Sequence, residues 1–353
     1  MIRYIRNIIL TIIILFTAFV FCSWLYFAFH PVIKERAGIR FLLKPGMSAE
    51  KVIKEFSAAG IIAHPLWVSS WVYLRGDTKI LKSGEYFFPY NVGFLSVWTQ
   101  MVKGTGRVYH PFTIIPGWTF MQLREAMEET QGLVHNTRNL SNAQLMQSLG
   151  YPILSPEGEF FSETYFYTYG ETELSLYKQA FFMMQEKLAA AWNKRDANLP
   201  FQTQQQVLIA ASLVEKEAYV NEERSVIAGV LVNRLNKRML LQFDPTVIYG
   251  LGTSYNGKLY KADLLKDTPY NTYIHKGLPP TPIAMPSMGS ILAVLHPQRH
   301  DYLYFVAKGD GSHQFSKTLQ EHNKAVKTAE AQHTQFFNAE KMQDYVEKVM
   351  SQS

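Results

Sequence analysis

Cysteine is almost absent from the 353 residues: Cys22 is the only one, so no intramolecular disulfide can form. With 47% hydrophobic residues the chain must hold itself together through its cores, and its length is enough for two soluble domains. Several chemistries lack their residues. There is no HExxH helix, no cysteine pair for zinc, no GxxxxGK(S/T) phosphate loop, no GxSxG elbow and no GxGxxG turn. His296, His300, His313 and His322 are not spaced as metal ligands and read as structural or exposed, so neither a metal nor an organic cofactor is expected. Lys and Arg form no run, and the net charge of +6 is spread along the chain, which gives nucleic acid no electrostatic footprint.

Charge is missing altogether from Asn7 to Phe29, a stretch of about 22 residues that can span a bilayer as a helix. Arg3 and Arg6 precede it, so the positive-inside rule keeps the N-terminus in the cytoplasm and sends everything after His30 across. The apolar region is longer than a signal-peptide core and no small-x-small pair closes it, which favours an uncleaved anchor. Phe21, before Cys22, is too large for a lipoprotein cleavage site. A large exported part without disulfides suits a bacterial periplasm, and a single-pass protein of the bacterial inner membrane is expected.

The exported part begins with alternating short elements. Arg40 to Glu50 reads as a strand, a Pro45-Gly46 turn and a helix capped by Ser48 that carries Val52, Ile53 and Phe56 and stops at Gly60. Gly84 to Pro89 looks like a strand and Phe94 to Val102 a helix closed by Gly104, an alternation that resembles a LysM-like carbohydrate-binding fold over about residues 40–108. The strand, Pro-Gly and cap pattern recurs at Phe112 to Phe120, with Thr119 capping a helix that bears Leu123 and Met127. A small spacer without a ligand would carry the same turn chemistry.

From Leu140 on, helix dominates. Thr172 to Asn193 has Leu174, Tyr177, Phe181, Met184 and Leu188 at helical spacing, and Asn221 is the expected cap of a helix through Val226, Val230 and Leu235. Leu241 to Pro297 breaks into Gly, Pro, Asn and Tyr without a period and reads as a long loop region of the kind that builds binding sites. A strand at Tyr302 to Val306, a Gly309 to Ser312 turn and a polar helix from about Ser316 close the chain.

Between these helices lies an apolar run, Val207 to Ala218, opened by a Thr203 to Gln206 capping box and expected to be helical from about Gln204 to Tyr219. Apolar residues surround its axis, so it is a core helix, yet it ends in two carboxylates, Glu215 and Glu217. Burial and the negative end of the helix dipole both raise a carboxyl pKa, and a Glu held protonated near neutrality is suited to general acid catalysis at a glycosidic oxygen. A Glu-Lys-Glu at a helix end can equally be a solvated terminus. Periodicity leans towards Glu217, which shares a face with Ala210, Leu213 and Val214, but leaves the choice open. Downstream, Gln242, Asp244, Asn256, Asn271 and Tyr273 offer amide, carboxylate and hydroxyl groups, and Tyr249, Tyr255, Tyr260 and Tyr270 offer ring faces, a combination that suits sugars.

The sequence Val214-Glu-Lys-Glu217, with Asn233-Arg-Leu235, Leu241 to Tyr249, Tyr255-Asn-Gly257, Tyr270 to Tyr273 and Gly277-Leu-Pro-Pro280, resembles the YceG-like family of endolytic murein transglycosylases. Glu157-Gly158, Phe161 to Tyr165, Tyr302 to Val306, His313-x-Phe315 and His322-Asn323 extend the resemblance over nearly all of the exported part. The resemblance implies an α+β protein with a transmembrane anchor over residues 1–30, a LysM-like subdomain over 31–110 and a mixed α/β catalytic domain with a helix-borne Glu over 111–353. It makes Glu217 the catalytic acid and implies cleavage within nascent peptidoglycan strands, beside penicillin-binding proteins at the inner membrane. Gln242, Asp244, Asn256, Asn271 and Tyr273 would then position the glycan, and Glu157 would line the cleft or orient loops. Phe243, Ser162, Glu163 and Thr281 depart from the family's usual residues, at positions expected on cleft walls. Two alternatives remain: a muramidase-type hydrolase using Asp244 as a second carboxylate, and a glycan-binding membrane scaffold without catalysis.

Overall fold

The structure, a computed structural model, describes residues 2–329. Its first helix, α1 (Ile2–Phe29), contains the charge-free stretch and is long and apolar enough to cross a membrane. Side chains such as Ile8, Leu15 and Phe19 stand exposed along it, and the Thr11 and Thr17 hydroxyls donate back to the carbonyls of Asn7 and Ile13. A helix that satisfies its own backbone and turns apolar side chains outward meets the condition for crossing hydrocarbon.

Two compact units follow from the chain's contacts. The first takes in residues up to 112 together with 130–136 and 166–175; the second takes in 113–129, 137–165 and 176 onward.

In the first unit, β1 (Ile39–Leu43) is followed by α2 (Ala49–Ala58), α3 (Pro65–Leu74), β2 (Gly84–Phe88) and α4 (Phe94–Lys103). The strands pair antiparallel, with Ile39 opposite Phe88 and Leu43 opposite Gly84. Ser48 caps α2 by accepting the Lys51 N–H, and the residues at i, i+1 and i+4 of Val52, Ile53 and Phe56 turn inward. Alternation along β2 buries Tyr86 and Phe88 and exposes Phe87. Phe94, Val97, Trp98 and Met101 complete the core from α4, which ends at Gly104 in the left-handed conformation that favours glycine. Each of the fully buried Phe56, Phe88 and Trp98 side chains contributes about 2–3 kcal/mol of apolar transfer, which stands in for the missing disulfides. Helix α3 has no counterpart in the sequence reading. Pro65 opens it, and Val68, Trp71 and Val72 are its buried side.

β3 (His110–Thr113) pairs with β4 (Thr164–Tyr167). Between them come α5 (Phe120–Glu129), whose Thr119 cap accepts the Gln122 N–H, and α6 (Asn142–Ser148), which Ser141 and Gln144 close with a reciprocal capping box. α7 (Glu173–Trp192) matches the expected long helix within a residue at each end.

The second unit is built around α8 (Gln204–Glu217), in which every residue from Val207 to Val214 is buried. Thr203 Oγ1 accepts the Gln206 N–H, but the Gln206 side chain accepts from Gln202 N–H instead, so half of the expected box closes. The helix stops two residues early because Ala218 turns extended. α9 (Arg224–Asn236) starts after a 3-10 turn, Asn221–Glu223, that takes up the expected cap at Asn221 and leaves Glu223 in the cap position. The stretch 241–297 is not one loop. It holds α10 (Asp244–Leu251), opened by Asp244-Pro245 and closed at Gly252, and α11 (Met288–Leu295), capped by Ser287. Each is only eight residues long, too short to show a helical period against the surrounding Gly and Pro. α9 and α11 pack on α8, burying Ile227, Leu231, Ile291 and Val294 against it. The hairpin of β5 (Tyr304–Ala307) and β6 (His313–Ser316) pairs Tyr304 with Ser316 and Ala307 with His313. Residues 319–329 are helical, and the remainder of the expected C-terminal helix lies outside the described residues. The protein is thus mixed α+β with one N-terminal apolar helix.

Candidate active site

Glu215 and Glu217 sit in the last turn of α8, two residues and therefore about 200° of helix rotation apart. Their surroundings differ accordingly. Glu215 Oε1 accepts from the Arg224 guanidinium at 3.2 Å, and Oε2 accepts from the Ser287 N–H at 2.9 Å, the Ser287 hydroxyl at 2.5 Å and the Ser290 hydroxyl at 2.6 Å. It ties the end of α8 to the start of α11, where a negative charge also meets the favourable end of a helix dipole. Glu217 receives no hydrogen bond from any described residue. Burial pushes its pKa up to about 8, and the neighbouring Asp244 charge adds to the rise. The side chain still keeps some access to solvent on one side.

That side opens on a cleft of about 510 Å³, walled by Glu217, Gln242, Asp244 and Tyr273 and, across from them, by β5, His313, His322 and Asn323. Three elements hold the near wall. Gln242 has a left-handed backbone (φ 54°), a conformation that costs a non-glycine residue of order 1 kcal/mol. It is pinned there by its own N–H to Thr272 O at 3.1 Å and by Arg234 Nη1 to its side-chain oxygen at 3.1 Å. Asp244 opens α10 and accepts the Tyr273 hydroxyl at 2.5 Å. Beneath them the Thr246 and Thr272 hydroxyls meet at 2.8 Å, and Phe243 N–H donates to Thr272 Oγ1 at 3.0 Å.

Glu157 lies elsewhere. It is buried, and it accepts the Phe120 N–H and the Tyr249 hydroxyl, each at 2.9 Å. Burial raises its pKa to about 7 against the opposing pull of those two bonds. It joins the start of α5 to α10, which carries Asp244, and is not among the cleft residues. Asn271 is fully buried, with its amide nitrogen given to Leu264 O and Lys266 O and its oxygen taken by Tyr273 N–H. Both of its N–H donors are thus spent on the loop backbone, which it staples. Asn256 is exposed, accepts the Lys258 N–H and is not among the cleft residues.

The tyrosines are redistributed too. Tyr249 and Tyr270, both half-buried, pack on each other at 4.7 Å against the core, and Tyr255 and Tyr260 are not among the cleft residues, whose tyrosines are Tyr273 and Tyr304. Phe243 is a core residue against Phe305, not a wall, and Thr281 is engaged by the Tyr270 hydroxyl. Neither these two nor Ser162 and Glu163 line the cleft.

Sequence reading missed Arg234, Tyr304, His313, His322 and Asn323 as cleft residues. A guanidinium inside the buried repeat Ile227, Val230, Leu231, Arg234 is the one usable signal, because a charge on such a face must be fully bonded. It donates to the carbonyls of Leu303 at 2.6 Å, Leu240 at 3.0 Å and Leu241 at 2.7 Å. The histidines come from a distant hairpin and the segment after it. His313 is bonded to Glu223 at 2.7 Å, and His322 stacks on Tyr304.

The chain is 54% identical over 119 residues, 34% of its length and 33% of the relative's, to the endolytic murein transglycosylase of Bacillus subtilis. It is 28% identical over 316 residues to the endolytic murein transglycosylase of Streptococcus pneumoniae serotype 2, covering 80% of this chain and 56% of that one. It therefore spans about half, or less, of the length of the curated relatives it matches. The crystal structure of a YceG-like protein from Listeria monocytogenes superposes with a TM-score of 0.51 at 28% identity, over 82% of this chain and 99% of that one. With residues 41–328 matching the model of the YceG-like family, and with the helix-end glutamate and cleft assembled inside that span, the chain belongs to the YceG-like family.

Proposed function

We propose that this protein is an endolytic lytic transglycosylase of peptidoglycan, with Glu217 acting first as acid and then as base. The observation that carries the reading is the Glu217 carboxyl: without a hydrogen bond among the described residues, with a pKa of about 8, at the end of a buried core helix and open to a cleft that can take a sugar ring. The names of the relatives support the substrate class.

Protonated Glu217 donates to the oxygen of the β-1,4 bond between N-acetylmuramic acid and N-acetylglucosamine, and the C1–O bond breaks as C1 gains oxocarbenium character. The carboxylate left behind takes the proton of the muramic C6 hydroxyl, whose oxygen attacks C1 and closes the 1,6-anhydro ring. No water is consumed and no second nucleophile is required. The Asp244 carboxylate beside the site favours the developing positive charge, and Gln242, Asp244 and Tyr273 present polar groups to the glycan.

Mass spectrometry of digested sacculi tests this. The wild-type chain should release anhydro-ended products, lighter by one water than hydrolytic ones, and Glu217→Gln should release none. Products carrying the extra water would mean hydrolysis, with Asp244 as the second carboxylate; anhydro products from Glu217→Gln would remove Glu217 from the role.

The rest of the layout is part of the same proposal. Residues 1–30 anchor the chain in the bacterial inner membrane with the N-terminus in the cytoplasm, 31–110 form a LysM-like glycan holder and 111–353 the periplasmic catalytic domain. Supporting the holder are the order β1, α2, α3, β2 and a groove of about 490 Å³ by the Pro45-Gly46 turn and Thr78, Lys79 and Leu81. An anchored enzyme acting on strands as they emerge would work beside penicillin-binding proteins.

A further inference from the structure

Helix α3 is apolar on both sides. Val68, Trp71 and Val72 face the core of the first unit, while Leu66, Trp67, Tyr73 and Leu74 are 81%, 51%, 77% and 85% exposed. With Ser70 these four fall at positions i, i+1, i+4, i+7 and i+8, a single continuous stripe of the helix. Scattered exposed apolar residues need no explanation; a full helical face of them marks a surface that is covered by something.

What lies beside α3 identifies the cover. Phe94 packs against Phe27, near the outer end of α1, with ring centroids 5.2 Å apart, and against Trp71 of α3, 5.6 Å apart. The rings of Phe27 and Trp71 are therefore no more than about 11 Å from each other. On α1 itself Trp24 and Tyr26 come just before Phe27, and Trp and Tyr are the residues that settle at the headgroup level of a bilayer. The first unit thus begins where the hydrocarbon would end. Within one turn of the stripe stands Arg75, 4.7 Å over the Trp71 ring and paired with Asp77 at 2.8 Å, so that the polar end of the helix carries its own counter-charge.

We propose that the exposed face of α3 lies in the interfacial layer of the same bilayer that α1 crosses. α1 is then not a lone tether: two contacts with the membrane, one spanning and one lying flat, fix the tilt of the first unit against the surface. Trp67 and Tyr73 supply the interfacial rings, and Leu66 and Leu74 the apolar burial. The inference rests on reading α1 as membrane-spanning, and its test separates the two.

The full-length chain, with Cys22→Ser to remove the native thiol, is reconstituted into nanodiscs of mixed zwitterionic and anionic phospholipid. A nitroxide is placed by Ser70→Cys in the middle of the stripe, by Lys54→Cys on the exposed side of α2, or by Leu15→Cys in α1. Collision rates with oxygen, which partitions into lipid, and with a water-soluble nickel chelate report the depth of each label. The expected result is a Ser70 label reached by nickel several-fold less than the Lys54 label and reached more by oxygen. Equal nickel access at Ser70 and Lys54 would overturn the proposal, as would dipolar broadening between Ser70 labels, which would put a second copy on the face. A Leu15 label open to nickel would overturn the reading of α1, and this inference with it.

Discussion

Tyr273 donates a hydrogen bond from its hydroxyl to Asp244 Oδ1 at 2.5 Å, and the pair forms one wall of the cleft onto which Glu217 opens. Burial, and after it the bond to Asp244, pushes the Tyr273 phenol well above its usual range, so it remains the donor of that bond. The Asp244 carboxylate is the second cause, after burial, that raises the Glu217 pKa.

Asp244→Asn therefore shifts the pH profile of cleavage. With Glu217 as the proposed acid, its protonated form would be the active one, and activity should fall as pH rises through its pKa of about 8. Without the Asp244 charge this alkaline limb moves to lower pH. It stops well above the ordinary carboxylate value, because burial, the larger cause, is untouched. Unchanged limbs in the two proteins would separate Asp244 from the titration of the acid.

Glu217 also weakens the fold as it ionises. Its folded pKa, about 8, exceeds the ordinary 4.5, so the folded state holds the proton more tightly, and stability present in full below pH 4.5 is lost as pH rises to about 8. Access to the cleft screens the charge, so the loss is on the order of 1–3 kcal/mol. Glu217→Gln has no such loss. Its melting temperature should match that of the wild type near pH 4 and exceed it near pH 8, as calorimetry at the two pH values would show.

Glu215→Ala should do the reverse: destabilise without belonging to the chemistry. Removing four accepted hydrogen bonds leaves Arg224 and the serines at the start of α11 unpaired, at a cost of about 3–5 kcal/mol. Denaturant titration reads this. Below the transition, the folded fraction should still yield the same products as the wild type, in contrast to Glu217→Gln.

Glu157→Ala should cost both stability and turnover, through α10. The Phe120 N–H and the Tyr249 hydroxyl lose a buried acceptor, about 1–3 kcal/mol each, and α10 loses the bond that seats it. Tyr249→Phe, which removes one of the two bonds, should retain more of both. If the two variants were equally active and only one unstable, Glu157 would have no bearing on the position of Asp244.

The buried helix ending in carboxylates was legible because burial and charge conflict locally: an apolar run from Val207 to Val214 that ends in Glu215 and Glu217 states its own anomaly. Which carboxylate was not legible from spacing alone. The partners that neutralise Glu215 are Arg224, Ser287 and Ser290, up to 75 residues away, and only folding reveals them. Cap chemistry placed α2 and α5 well, since Ser48 and Thr119 act within four residues. It failed at α10, α11 and α3, where eight or ten residues carry the helix and tertiary packing decides. Where the amides end up depends on folding in the same way. Asn271 looks in sequence like a glycan ligand, but its three bonds are spent on loop backbone, whereas Gln242 and Asp244 reach the cleft because α10 begins there.

Arg234 has a wider consequence. It grips the carbonyls of Leu240, Leu241 and Leu303, so the groove floor is fastened through main-chain atoms that every sequence possesses. Side chains on the rim can then be exchanged without loosening the base. A library that keeps Arg234 and Tyr304, whose ring lies 5.1 Å from the guanidinium, and varies Leu319 and Asn323 should yield folded proteins that differ in which strands they accept, making those side chains the natural place to redesign preference.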